Sequence, residues 1–107
     1  MGSKYHNLRT EYHGRVYDSK KEADHAVTLD LMRLATDPSQ RVESIQYQYR
    51  IPLVVNGIQI GHYVADFYVL FADGHKEIQD VKGMKTALYN WKKKHVEAQY
   101  GEKIIEI

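Results

Sequence analysis

The sequence has no cysteine, which removes disulfide staples and thiolate zinc sites together and fits a reducing compartment. Its apolar runs are only a few residues long, far short of the roughly 20 residues that a membrane-crossing helix needs. The N-terminus lacks the apolar centre of a secretory leader, so a soluble, cytoplasmic protein is expected. Gly-rich phosphate loops and a Gly-x-Ser-x-Gly elbow are missing, which argues against P-loop nucleotide hydrolysis and against serine hydrolases. The six histidines include no His-Glu-x-x-His and no paired Cys/His; His62, four residues before Asp66, is the one placed near other candidate residues.

What is present fits one compact domain spanning residues 1–107, with residues 1–17 as a candidate N-terminal arm. Net charge is +1, but its distribution is uneven: residues 1–21 sum to +3, residues 22–80 to −5 and residues 81–107 to +3. Carboxylates in the middle of the chain between two basic ends suit a protein that holds cations centrally and phosphates around them, although ordinary surface charge gives the same numbers.

Residues 4–17 are polar and aromatic without a sustained period, and read as an extended arm or a short strand ending at Arg15-Val16-Tyr17. A helix then begins. Asp18 and Ser19 are good caps, Ser19 with Glu22 spells a capping box, and Ala23, Val27, Leu31 and Leu34 supply an apolar stripe that ends near Thr36. Asp30 interrupts that stripe without an evident reason. From Ile45 to Lys82 the pattern changes to a Tyr, Ile and Val-rich meander of three antiparallel strands, broken at Asn56-Gly57 and Asp73-Gly74. Residues 86–100 predict a second helix, capped by Thr86 and closed by Gly101, and residues 103–107 a short returning strand. Helix, meander, helix and strand define an α+β domain with helices packed on a mixed sheet.

Two acids in this meander could carry chemistry. Asp66 interrupts an apolar strand, and Asp80 stands two residues before Lys82, so Asp80 and Lys82 project from the same face. A hard divalent cation takes only one or two protein carboxylates, and a nearby ammonium can position a water or stabilise phosphate charge. The pairing depends on the loop between the strands. A two-residue loop at Asp73-Gly74 sets Asp66 against Val81, whereas a three-residue loop, residues 72–74, sets Asp66 directly opposite Asp80. Opposed carboxylates repel unless a cation neutralises them. The structural alternative is a solvated sheet face on which Lys82 is a salt-bridge partner.

The motifs Lys4-Tyr5-His6-Asn7, residues 17–23 (Tyr-Asp-Ser-Lys-Lys-Glu-Ala), residues 45–53 around Gln48, Ala65-Asp66-Phe67 and Asp80-Val81-Lys82-Gly83 with Thr86 resemble a family of small phage-borne proteins. That family is placed in the PD-(D/E)XK nuclease superfamily beside Holliday-junction resolvases, and the resemblance covers nearly the whole chain. It implies a restriction-endonuclease-like fold and a Mg²⁺ or Mn²⁺-dependent endodeoxyribonuclease with one or two ions, acting on branched or nicked DNA during phage recombination or packaging in the host cytoplasm. A nicking enzyme or a catalytically inactive DNA-binding module is the alternative.

Residue by residue, the resemblance makes Asp66 and Asp80 the motif acids, Lys82 its lysine, Glu22 the helix glutamate that completes the metal site, and Gln48 a glutamine near the metal. The main-chain carbonyl of Val81 is expected to add a further oxygen ligand. Ala65 stands where the superfamily's name has proline. Glu22 also has a purely structural reading as a helix cap. The basic run at Trp91-Lys92-Lys93-Lys94-His95 would contact phosphates without reading sequence, with Lys20, Lys21, Gln48, Lys85, Tyr89, Lys92 and Lys93 as the expected DNA contacts. Its alternative is a solvated helix face. Most of the nine tyrosines suit sheet packing, with Tyr5 or Tyr12 candidates for stacking on unpaired bases. So small a domain would engage a four-way junction as a homodimer.

Overall fold

The structure is a computed structural model that describes residues 8–81 and 85–107. Where an extended arm is expected, the chain folds back on itself: β1 (Thr10–Tyr12) pairs antiparallel with β2 (Arg15–Tyr17). The turn residues His13 and Gly14 both have positive φ, 51° and 77°, the twist that a two-residue hairpin requires. His-Gly lies outside the Asn-Gly and Asp-Gly pairs that announce such turns, so the sequence gives little warning of it.

Helix α1 (Lys20–Leu31) starts at the expected cap, the Ser19 hydroxyl accepting the Glu22 amide at 3.1 Å, and passes into a 3₁₀ turn over Met32–Leu34. Its buried face differs from the expected stripe. Glu22, Ala23, Ala26 and Leu29 are buried, while Leu31 and Leu34 are 64% and 80% exposed. Steps of three residues, rather than four, follow the line along which the helix lies on the sheet, and the small Ala23 and Ala26 let it approach closely.

Asp30 now has an explanation: it accepts the Tyr12 hydroxyl at 2.8 Å and Arg33 Nε at 3.0 Å, tying the hairpin to the helix. Burial works against its charge, but the hydrogen bonds from Arg33 and Tyr12 outweigh it and hold the carboxyl below its ordinary range. A folded-state pKa below the unfolded one contributes stability above the unfolded value, near pH 4, and loses it as pH falls through the folded value. Asp30→Asn is therefore expected to cost about 1 kcal/mol at neutral pH. The gap from wild type should close below about pH 4 in denaturant titrations followed by circular dichroism. An equal gap at pH 7 and pH 3 would refute this.

The meander is as expected. β3 (Val42–Val55) and β4 (Ile58–Phe71) form a long antiparallel ladder closed by Asn56-Gly57, both with positive φ. β5 (Lys76–Asp80) pairs antiparallel with β4, and α2 (Ala87–Tyr100) crosses over to β6 (Ile104–Glu106), which runs parallel to β5. The strand order β3-β4-β5-β6 makes a mixed sheet, and the whole is an α+β fold. Thr86 caps α2 by accepting the Tyr89 amide at 3.0 Å, and Gly101 closes it. Among the described residues no helix is long and apolar enough to cross a membrane.

Two cores divide the sheet. Tyr17, Ala23, Ala26 and Leu29 pack with Phe67, Val69 and Phe71 under α1, and Ile51, Leu53, Tyr63, Ala65, Ile78 and Ile104 pack with Tyr89 and Val96 of α2. Alternation along the ladder changes between them. Tyr68 packs against the second core with Tyr63 and Ala65, although strict alternation would put it on the opposite face. The exchange falls at Gln48 and Asp66, where Gln48 has a φ of 51° and regular pairing skips from Tyr47↔Phe67 to Tyr49↔Ala65. A left-handed residue inside a strand re-aims its neighbours, and here it sets a polar position at the seam of two apolar cores.

Candidate active site

The loop over residues 72–74 decides whether the two motif acids meet. Phe71 N–H donates to the His75 carbonyl and Gly74 N–H to the Phe71 carbonyl, each at 2.9 Å, so Phe71 is matched with His75 across a three-residue loop. Gly74 takes a φ of 95°, which residues with a side chain rarely adopt. Asp73 braces the loop by accepting the His75 amide at 3.0 Å. The register Phe67↔Gln79 follows, and one further step brings Asp66 opposite Asp80. The Val81 amide donates to Asp66 Oδ2 at 2.8 Å, which fixes that carboxylate beside the Asp80–Val81 peptide.

Asp80 is fully buried and Asp66 half-buried. On the other side of β4, the pairs flanking Gln48 place it opposite Asp66, so Gln48, Asp66 and Asp80 cross three adjacent strands in a row. Gln48 Nε2 donates to Glu22 Oε2 at 3.2 Å, which joins α1 to the end of that row. Glu22 is 6% exposed, so its carboxylate is held inside the domain and not presented to solvent as a helix-capping glutamate would be. Its backbone amide serves the Ser19 cap while its side chain faces the sheet, which gives both readings of this residue a place.

The three acids form a row rather than a cluster. Among the described residues no group of three or more His, Asp or Glu side chains is placed to hold one metal ion. Asp66 and Asp80 alone satisfy what magnesium asks of protein, one or two carboxylates with water and phosphate completing the shell. These two carboxylates are of the type and number that a hard divalent cation takes from protein, and Glu22 stands at the far end of the row, held by Gln48. Val81 is half-buried against the first core. Lys82 lies outside the described residues, as do Tyr5 and the Lys4–Asn7 motif.

The expected DNA contacts are scattered around this row. Lys20 and Lys21 are exposed at the start of α1, where Lys20 pairs with Asp24 at 3.3 Å. On α2, Lys93 is paired with Glu97 at 3.0 Å, and the exposed Lys85, just ahead of the helix, is paired with Glu106 at the same distance. Tyr89 is a core residue: its ring is 8% exposed and its hydroxyl donates to Glu106 at 2.7 Å, so in this conformation it presents no face to a base. Burial and that hydrogen bond push its phenol well above the ordinary range, while Tyr89 and Lys85 together hold Glu106 below its own. Tyr12 likewise spends its hydroxyl on Asp30.

Sequence reasoning missed a second polar pair beside the row. His25 Nε2 meets Gln79 Oε1 at 2.7 Å, and Gln79, buried next to Asp80, donates to Glu77 at 2.8 Å. The spacing of His25 three residues after Glu22 was the available signal, since it puts both on one helix face.

The fold defines the class as an α+β domain whose mixed sheet carries a row of polar side chains between two apolar cores. Within that class the chain belongs to the family described as Protein of unknown function (DUF1064), whose family model matches residues 2–106. No curated protein and no solved structure matches it.

Proposed function

We propose that this chain is a divalent-metal-dependent deoxyribonuclease of the PD-(D/E)XK type, hydrolysing phosphodiester bonds in branched or nicked DNA. The observation that carries the reading is the register: a three-residue loop aligns Asp66 with Asp80 at the seam of two cores, where an apolar pair would otherwise be expected. Asp66 and Asp80 hold the ion, with the Val81 carbonyl as a further oxygen donor. A bound Mg²⁺ or Mn²⁺ supplies Lewis acidity toward the phosphoryl oxygen and lowers the pKa of a coordinated water. Glu22, oriented by Gln48, holds a water on the α1 side of the row, and Lys82 positions the nucleophile. Lys20, Lys21, Lys92 and Lys93 contact phosphates on either side, and a homodimer supplies the surface that a four-way junction needs.

The test is incubation of the purified chain with supercoiled plasmid and with a synthetic four-way junction, in Mg²⁺, Mn²⁺ or chelator. Nicked plasmid or resolved junction, formed only with metal, is the expected result. A second reading, a DNA-binding module without catalysis, is favoured by one observation, the arrangement of the acids in a row with no three placed to share an ion among the described residues. Binding of both DNAs without cleavage in either metal would select it.

A further inference from the structure

Beside the row of acids, β4 and the first turns of α2 border a solvent-open pocket of about 270 Å³. Its walls include His62, Tyr63, Thr86, Leu88 and Lys92, and no carboxylate lines it among the described residues. What its polar groups share is donation. The Tyr63 side chain is 4% exposed, and its hydroxyl is buried with no hydrogen-bond partner. A buried hydroxyl without a partner costs folding free energy, so an acceptor there answers a need built into the fold. Lys92 has no carboxylate partner among the described residues, unlike Lys85 and Lys93. Arg50, which can only donate, contacts His62 Nδ1 at 3.2 Å, and this leaves the ring proton on Nε2 as a further donor. At the helix start Thr86 takes the Tyr89 and Asn90 amides, while Ala87 and Leu88 have no intrahelical acceptor for theirs.

We infer that this pocket binds a phosphate group of the nucleic acid, next to the bond that is cut. A tetrahedral oxyanion offers several acceptors to the Tyr63 hydroxyl, the Lys92 ammonium and the open end of α2, which carries partial positive charge. Engaging Tyr63 takes a small outward shift of the ring, of the size that side chains commonly make on binding. Val64, in the pocket wall, is two residues before Asp66 on β4, so the anion sits about 7 Å from the acids along the strand. That the anion belongs to DNA rests on the nuclease reading above; that the pocket takes an oxyanion does not.

The test uses the full chain in chelator, where hydrolysis plays no part. Wild type, Tyr63→Phe, Lys92→Gln and the control Lys103→Gln are titrated with inorganic phosphate, followed by amide NMR shifts. They are also titrated with labelled single strands bearing a 5′-phosphate or a 5′-hydroxyl, followed by anisotropy. Phosphate is expected to move the Tyr63 and Leu88 amides. Tyr63→Phe and Lys92→Gln should each weaken binding about 10-fold, and Lys103→Gln by less than about 2-fold. Tyr63→Phe should melt at or above the wild-type temperature, because it removes a buried hydroxyl that has no partner in the fold. A loss confined to 5′-phosphorylated strands assigns a terminal monoester, and an equal loss for both strands an internal diester; either supports the pocket. Wild-type affinity in both pocket variants overturns it. Phosphate binding by a chain that never cleaves DNA removes the nuclease reading alone, whereas cleavage by a chain whose pocket variants bind normally removes the pocket alone.

Discussion

Asp80→Asn is expected to lower metal-dependent cleavage of supercoiled plasmid by roughly 10³-fold or more, while DNA binding in chelator stays within about 2-fold of wild type. The substitution conserves volume at a fully buried position and removes one unit of negative charge from the pair that would hold the ion. Asp66→Asn should act in the same direction. It weakens the acceptor of the Val81 amide as well as the metal pair, so a loss of melting temperature there would report the structural part of its role. Calorimetric titration with Mn²⁺ gives a reading that does not depend on substrate: both variants should bind the ion more weakly. Full activity in Asp80→Asn and Asp66→Asn would remove these acids from the chemistry.

Phe67→Ala carries the largest expected cost in stability, about 3–5 kcal/mol. Small domains are stable by only about 5–15 kcal/mol in total, so the variant would unfold near physiological temperature. The ring is fully buried beneath α1 and lies among three others: Tyr17 at 6.3 Å, Tyr47 at 5.9 Å and His25 at 5.2 Å between centroids. Removing it opens a cavity where the helix that carries Glu22 meets the strand that carries Asp66. Phe67→Leu, expected to cost less than half as much, keeps the comparison measurable by urea denaturation if the alanine variant does not fold. A change below about 1 kcal/mol in the alanine variant would mean that the first core is organised differently.

Both outcomes depend on features of unequal legibility. The three-residue loop was one of two options consistent with Ala72-Asp73-Gly74, and the main-chain bonds around Gly74 select it. The Ser19 cap, the Asn56-Gly57 turn and the bounds of α2 were readable because each rests on a local preference of the backbone. The buried face of α1 was not, since apolar residues at two spacings were present and the sheet beneath decided which was covered. Nor was the reach of Glu22 to Gln48, a contact that spans 26 residues and depends on how α1 settles on the sheet.

From the chain alone came the α+β order of first helix, meander, second helix and last strand, the Ser19 and Thr86 caps, and the acids at positions 66 and 80, because turn chemistry, capping and side-chain period act over a few residues; the β1–β2 hairpin and the end of α1 at Leu31 did not. Tertiary structure alone decided that Gln48 adopts a left-handed conformation, that the ladder exchanges faces there, and that Gln48, Asp66 and Asp80 line up between two cores. No local preference favours glutamine in that conformation. Packing of two helices against one twisted ladder imposes it, and such a constraint exists only once distant segments have met.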